Sequence, residues 1–95
     1  MFSPEEIKKL TRKELTEFFK QLCTESAEEL YFKYDVDFVF DHYDNDLKII
    51  YVRETESTKN PVTYEMLDEL LSEFKKINSR MQVGIFFEEV PKGDS

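Results

Sequence analysis

The sequence predicts an α+β fold: a two-layer sandwich in the order α(α)-β-β-α-β, with the helices on one face of a small, mainly antiparallel three-stranded sheet. Three observations predict it. Leu15, Phe18, Phe19 and Leu22, and later Leu67, Leu70, Leu71, Phe74 and Ile77, recur at the three- and four-residue spacing of a helix with one apolar stripe. Phe32, Tyr34, Val36, Phe38 and Phe40 alternate with mostly polar residues, the period of a strand. Met81, Val83, Ile85 and Phe87 repeat that alternation after the second helical stretch. A helix with a single stripe needs one surface to cover, and a sheet supplies it. The 95 residues suffice for one domain, placed at residues 1–90, with 91–95 expected as a flexible tail.

Each element carries its own signals. Ser3-Pro4-Glu5-Glu6 reads as a capping box with proline at the first helical position, and Phe2 and Ile7 stand where a hydrophobic staple would put them. Thr11-Arg12-Lys13-Glu14 repeats the box, flanked by Leu10 and Leu15. The segment is therefore a short helix over about 4–10 followed by a second over about 12–22, or one continuous helix. Residues 24–29 are polar and read as a connection.

The first strand then runs from about Phe32 to Asp41, and Leu47 to Arg53 returns after a tight turn at Asp44-Asn45. A two-residue loop there pairs Asp41 with Lys48, Val39 with Ile50 and Asp37 with Val52. It places Phe38, Phe40, Ile49 and Tyr51 on the core face. A polar loop over 54–60 leads to a helix opening at Asn60-Pro61 or Thr63, with Lys75 and Lys76 in its last turn, where the helix dipole favours cations. Gly84, inside the third strand, marks a bulge or a close approach.

The charge is unevenly distributed. The net charge is −8, and the window from Gln21 to Asp46 alone holds eight acids against one base, Lys33. The same window carries six of the fourteen aromatic residues, so the acids are tied to a framework of rings. Such a surface attracts cations and basic partners and repels nucleic acid. The single cysteine, Cys23, excludes an internal disulfide, which favours a reducing, cytoplasmic setting. Neither a secretory leader nor a run of membrane-spanning length is read from the chain.

Catalytic motifs are thin. Asp41-His42-Tyr43-Asp44-Asn45-Asp46 offers oxygens to a hard cation, but Lys48 and Ile49 stand where a calcium loop would place ligands or glycine. Asp46-Leu47-Lys48, following Asp37 or Asp41, is similar to the aspartate and (Asp/Glu)-x-Lys layout of metal-dependent nucleases. It departs from that layout by coming directly after a turn, and the acidic field opposes a polyanionic substrate. Cys23 and His42 would need to meet to form a nucleophilic pair. The two glycines make no phosphate loop.

The expectation is accordingly a non-enzymatic acidic protein-binding module with no cofactor and no metal. Its sharpest form is a small inhibitor, virus-encoded blockers being the type, that occupies a basic, nucleic-acid-binding partner by charge mimicry. Asp35, Asp37, Asp41, Asp44, Asp46 and Glu54 are the expected contacts, with Glu25, Glu28 and Glu29 behind them. The alternative is a homo-oligomer, such as a homodimer, sealed by Val39, Ile50, Val52 and Phe86 on the exposed sheet face. A third reading is a metal-dependent enzyme or ion binder built on the hairpin acids.

Overall fold

The computed structural model describes residues 4–87. The elements are α1 (Pro4–Lys8), α2 (Arg12–Tyr34), β1 (Phe38–Asp44), β2 (Ile49–Glu54), α3 (Asp68–Ile77) and β3 (Gln82–Ile85). The α+β class is as expected, with helices packed on a three-stranded sheet of order β1-β2-β3. β1 pairs antiparallel with β2, and β2 pairs parallel with β3. The parallel pair requires a crossover, which α3 supplies. The first capping box, the Phe2 staple and the 91–95 tail lie outside the described residues.

The break between α1 and α2 is set by the second capping box. Thr11 Oγ1 accepts from the Glu14 amide at 3.2 Å, and Glu14 Oε1 accepts from the Thr11 amide at 3.1 Å. The Thr11 amide, and after it the Thr11 hydroxyl, favour the ionised Glu14 carboxylate and draw its pKa below the ordinary value.

α2 runs twelve residues beyond the predicted end, to Tyr34. Its buried stripe explains why. Phe19, Cys23, Ala27 and Leu30 follow the helical period straight through the polar stretch read as a connection. Phe32 and Tyr34 belong to the last turn of this helix rather than to a strand, and Phe32 is 86% exposed. The helix stops at Asp35, whose φ of 57° and ψ of 37° are left-handed, with its amide donating to the Tyr31 carbonyl at 3.1 Å.

The hairpin also differs from the expected pairing. Its turn spans the four residues 45–48, and Asp41 is an extra residue where the register shifts between Phe40 and His42. Asp44 Oδ1 organises the turn, accepting from the Asp46 and Leu47 amides at 3.0 Å each, and Lys48 closes it with a φ of 57°. Phe40 therefore faces Val52, Tyr43 faces Ile50 and His42 faces Tyr51. Because side chains alternate along a strand, this change of pairing turns all of β2 over. Ile50 and Val52, expected on the open face, are fully buried in the core. Ile49 and Tyr51, expected in the core, stand on the open side.

The core joins the two layers. Phe19 and Cys23 of α2 and Leu70 and Phe74 of α3 close on Phe38, Ile50, Val52 and Val83 of the sheet. Phe19 meets Phe74 edge-on at 5.5 Å between ring centroids and Tyr43 at 4.9 Å, favoured geometries for aromatic pairs. α3 starts later than expected because the chain first makes a turn over residues 64–67.

Candidate functional site

The acids expected to face a partner are mostly occupied within the chain. Asp37 Oδ2 accepts from the Thr55 hydroxyl at 2.5 Å, while the Asp37 amide donates to Thr58 Oγ1 at 2.9 Å. The Asp35 carbonyl accepts from the Lys59 and Asn60 amides, and Asn60 Nδ2 donates to the Tyr34 carbonyl. These bonds tie the loop after β2 to the end of α2. Glu54 Oε2 accepts from the Val62 amide at 2.7 Å. Asp44 caps the hairpin turn. Asp41 bonds the Nδ1 of its neighbour His42, and its other oxygen lies 3.6 Å from Arg53 Nε. Only Asp35 and Asp46 of the six are exposed residues whose carboxylates carry no described bond. They stand at opposite ends of the hairpin, Asp35 before β1 and Asp46 in the turn.

The physical reason is local. Aspartate beside a turn or strand end has backbone amides and hydroxyls within reach of its short side chain, so it is consumed in loop geometry. Glutamates on helix faces have no such neighbours. The structure accordingly gathers carboxylates in a groove between α2 and α3, with Glu25 and Glu29 on one wall and Glu69 and Glu73 on the other. Leu22, Ser26, Leu70 and Ser72 complete the lining, and the volume is about 430 Å³. Each wall is an i,i+4 pair of like charges, which repel. Among the described bonds of these four, Lys76 holds Glu73 at 3.0 Å and Gln21 donates to Glu25 at 3.5 Å. The sequence expectation places Glu25 and Glu29 behind the hairpin acids and does not include Glu69 and Glu73 among the contacts. The signal was present in the spacing of Glu25 with Glu29 and of Glu69 with Glu73, once both segments are helical.

The open face of the sheet has a different character. Val39, His42 and Asp44 from β1, Ile49, Tyr51 and Arg53 from β2, and Gln82 and Gly84 from β3 share it with Phe86. His42 stacks on Tyr51 at 4.6 Å and 19° between planes, and Phe86 meets both rings edge-on, at 5.4 and 6.3 Å. Tyr51 lies against Gly84 so closely that a Cβ there would stand 2.8 Å from the ring. This is the close approach that the glycine signals. Val39 and Phe86 of the expected interface do lie on this face, 42% and 38% exposed; Ile50 and Val52 do not. At one end Val39, Arg53, Glu54, Thr55, Glu56, Phe86 and Phe87 line a groove of about 420 Å³.

Other reactive groups are placed apart. The Cys23 thiol is buried in the core, which raises its pKa to about 12, and His42 is on the opposite side of the sheet. Burial also raises the Tyr43 hydroxyl, opposed by Arg12 and assisted by Asp44. Among the described residues, no three His, Cys, Asp or Glu side chains converge as metal ligands would. No described helix is long and apolar enough to cross a membrane. No family model, curated protein or solved structure matches the chain.

Proposed function

We propose that this protein is a non-enzymatic binding module that engages a basic partner through the carboxylate-lined groove between α2 and α3. The observation that carries the reading is the arrangement of Glu25, Glu29, Glu69 and Glu73 on two facing helices of a chain with net charge −8. Carboxylates held on packed helices need little ordering on binding, and like charges across a groove are relieved when a cationic segment enters. The finer form of the proposal is inhibition by charge mimicry, in which these carboxylates take the place of phosphates on a nucleic-acid-binding protein of the cytoplasm. The hairpin aspartates then act as scaffolding, and the contact set moves to the helices.

The test is a pull-down with the immobilised protein, washed at about 50 mM and about 300 mM salt, with captured proteins identified by mass spectrometry. A basic partner should be held at low salt and lost at high salt. The triple variant Glu25→Gln, Glu29→Gln, Glu69→Gln should fold and lose it, while Asp46→Asn should retain it. Equal retention by the triple variant would refute the groove as the contact.

A further inference from the structure

We propose that the segment taken by the helical groove is arginine-rich, its guanidinium groups pairing with Glu25 and Glu29 and stacking on the exposed ring of Phe32. The inference rests on the groove reading above and adds the chemistry of the partner.

Charge alone leaves Phe32 without a role. The residue is 86% exposed in the last turn of α2, and the buried stripe of Phe19, Cys23, Ala27 and Leu30 runs along the opposite side of that helix. Seven residues separate Phe32 from Glu25, two helical turns less about 20°, so the two share one side of α2. Glu25 and Glu29 stand one turn apart, and the ring follows about 10 Å beyond Glu25 along the axis. Tyr31, also exposed, meets the Phe32 ring edge-on at 5.8 Å between centroids. The α2 wall of the groove therefore runs from carboxylates to an aromatic end open to solvent.

Charge and ring together select the occupant. Exposed Glu28 adds a carboxylate on the same side, one turn from both Glu25 and Phe32. Such a surface repels a second copy of a −8 chain, a polyphosphate and an anionic membrane alike. A lysine answers the carboxylates as a point charge. An arginine answers carboxylate and ring together, because its planar fork pairs two-pronged with a carboxylate and its face stacks on an aromatic ring. The chain already places a cation on this cluster, with Lys33 Nζ 5.3 Å from the centroid of the Tyr34 ring. The neighbouring Phe32 ring stays open to an incoming guanidinium. Arginine-rich segments of RNA-binding proteins fold on binding, and carboxylates at helical spacing suit a segment that orders as a helix in the groove.

The probes are two peptides of about 16 residues and equal charge, one carrying arginines and the other lysines at three- and four-residue spacing. Calorimetry on the full chain reads their binding at about 50 mM and about 300 mM salt. The arginine peptide should bind at least about threefold more tightly than the lysine peptide. Phe32→Ala should weaken the arginine peptide about two- to fivefold and the lysine peptide less, with an unchanged thermal melt because the side chain is exposed. Glu25→Gln with Glu29→Gln should weaken both peptides and flatten their salt dependence. Equal affinities for the two peptides, or an arginine affinity untouched by Phe32→Ala, overturn the inference. If both peptides are still lost on the glutamine substitutions, the groove stands as the contact and only its preference for arginine falls. Arginine binding indifferent to those substitutions, or no binding of either peptide, overturns the groove reading along with it.

Discussion

Two valines, one on each side of the same antiparallel pair, give a direct measurement of the hairpin pairing. Val52 is fully buried on the core face of β2, and Val39 is 42% exposed on the open face of β1. Replacing either by alanine removes the same two methyl groups. For Val52→Ala the transfer loss is about 1.6 kcal/mol, at about 0.8 kcal/mol per buried carbon. The vacated space, roughly 50 Å³, adds about 1 kcal/mol if the core does not collapse. The sum, about 2–3 kcal/mol, is a large share of the roughly 5–14 kcal/mol expected for a domain of this length. It should lower the melting temperature by about 10–20 °C. Val39→Ala should cost about 0.5 kcal/mol or less. Thermal and urea unfolding of the two variants, at a concentration where the chain is monomeric, measures the contrast. Equal losses, or a larger loss at Val39, would show that β2 faces the other way and that the extra residue at Asp41 is wrong.

Two further outcomes follow from the same structure. The folded state holds the Cys23 proton up to about pH 12, whereas the unfolded thiol releases it near 9. The contribution of the neutral thiol is therefore complete below pH 9 and declines between 9 and 12, by at most about 1.4 kcal/mol per pH unit. The stability difference between wild type and Cys23→Ala should shrink as pH rises from 8 to 11, and a constant difference would contradict the buried thiol. Asp35 caps α2 in a left-handed conformation with φ 57°, so Asp35→Gly should be neutral to stabilising, up to about 1 kcal/mol. Asp35→Val should destabilise by more than about 1 kcal/mol. Urea midpoints that rank these two in the opposite order would remove that cap geometry.

The legible parts of this fold were those written in local pattern. Thr11 and Glu14 announced the start of α2, and Leu67, Leu70 and Phe74 announced the face of α3, because capping and helical stripes are short-range. The extended reading of residues 32–36 failed because Phe32 and Tyr34 fall in step with Val36 by coincidence of composition. The rival signal, Phe19 to Leu30 at helical spacing, crosses a polar stretch that hides it. The face of β2 failed for a geometric reason. The one extra residue at Asp41 leaves composition unchanged yet changes which side chains of β2 share a face with Phe38 and Phe40, whereas the two added turn residues, an even number, do not. The net charge was legible, but the acids free to meet a partner were not. Asp37 finds its hydroxyl on Thr55, eighteen positions away, and no spacing rule announces such a pairing. Glutamates on helices escape that fate because their neighbours' amides are already bonded within the helix.

The irregularity at Asp41 also limits how copies of the chain can join. β1 is an outer strand of the sheet, and the extra residue changes the phase of its outward amides and carbonyls part of the way along. An incoming strand that matched Phe38 to Phe40 would be out of step by Tyr43. End-on growth of one sheet into the next, the route to fibrils, is obstructed on that flank, so a protein rich in aromatic strand residues can accumulate without polymerising along it.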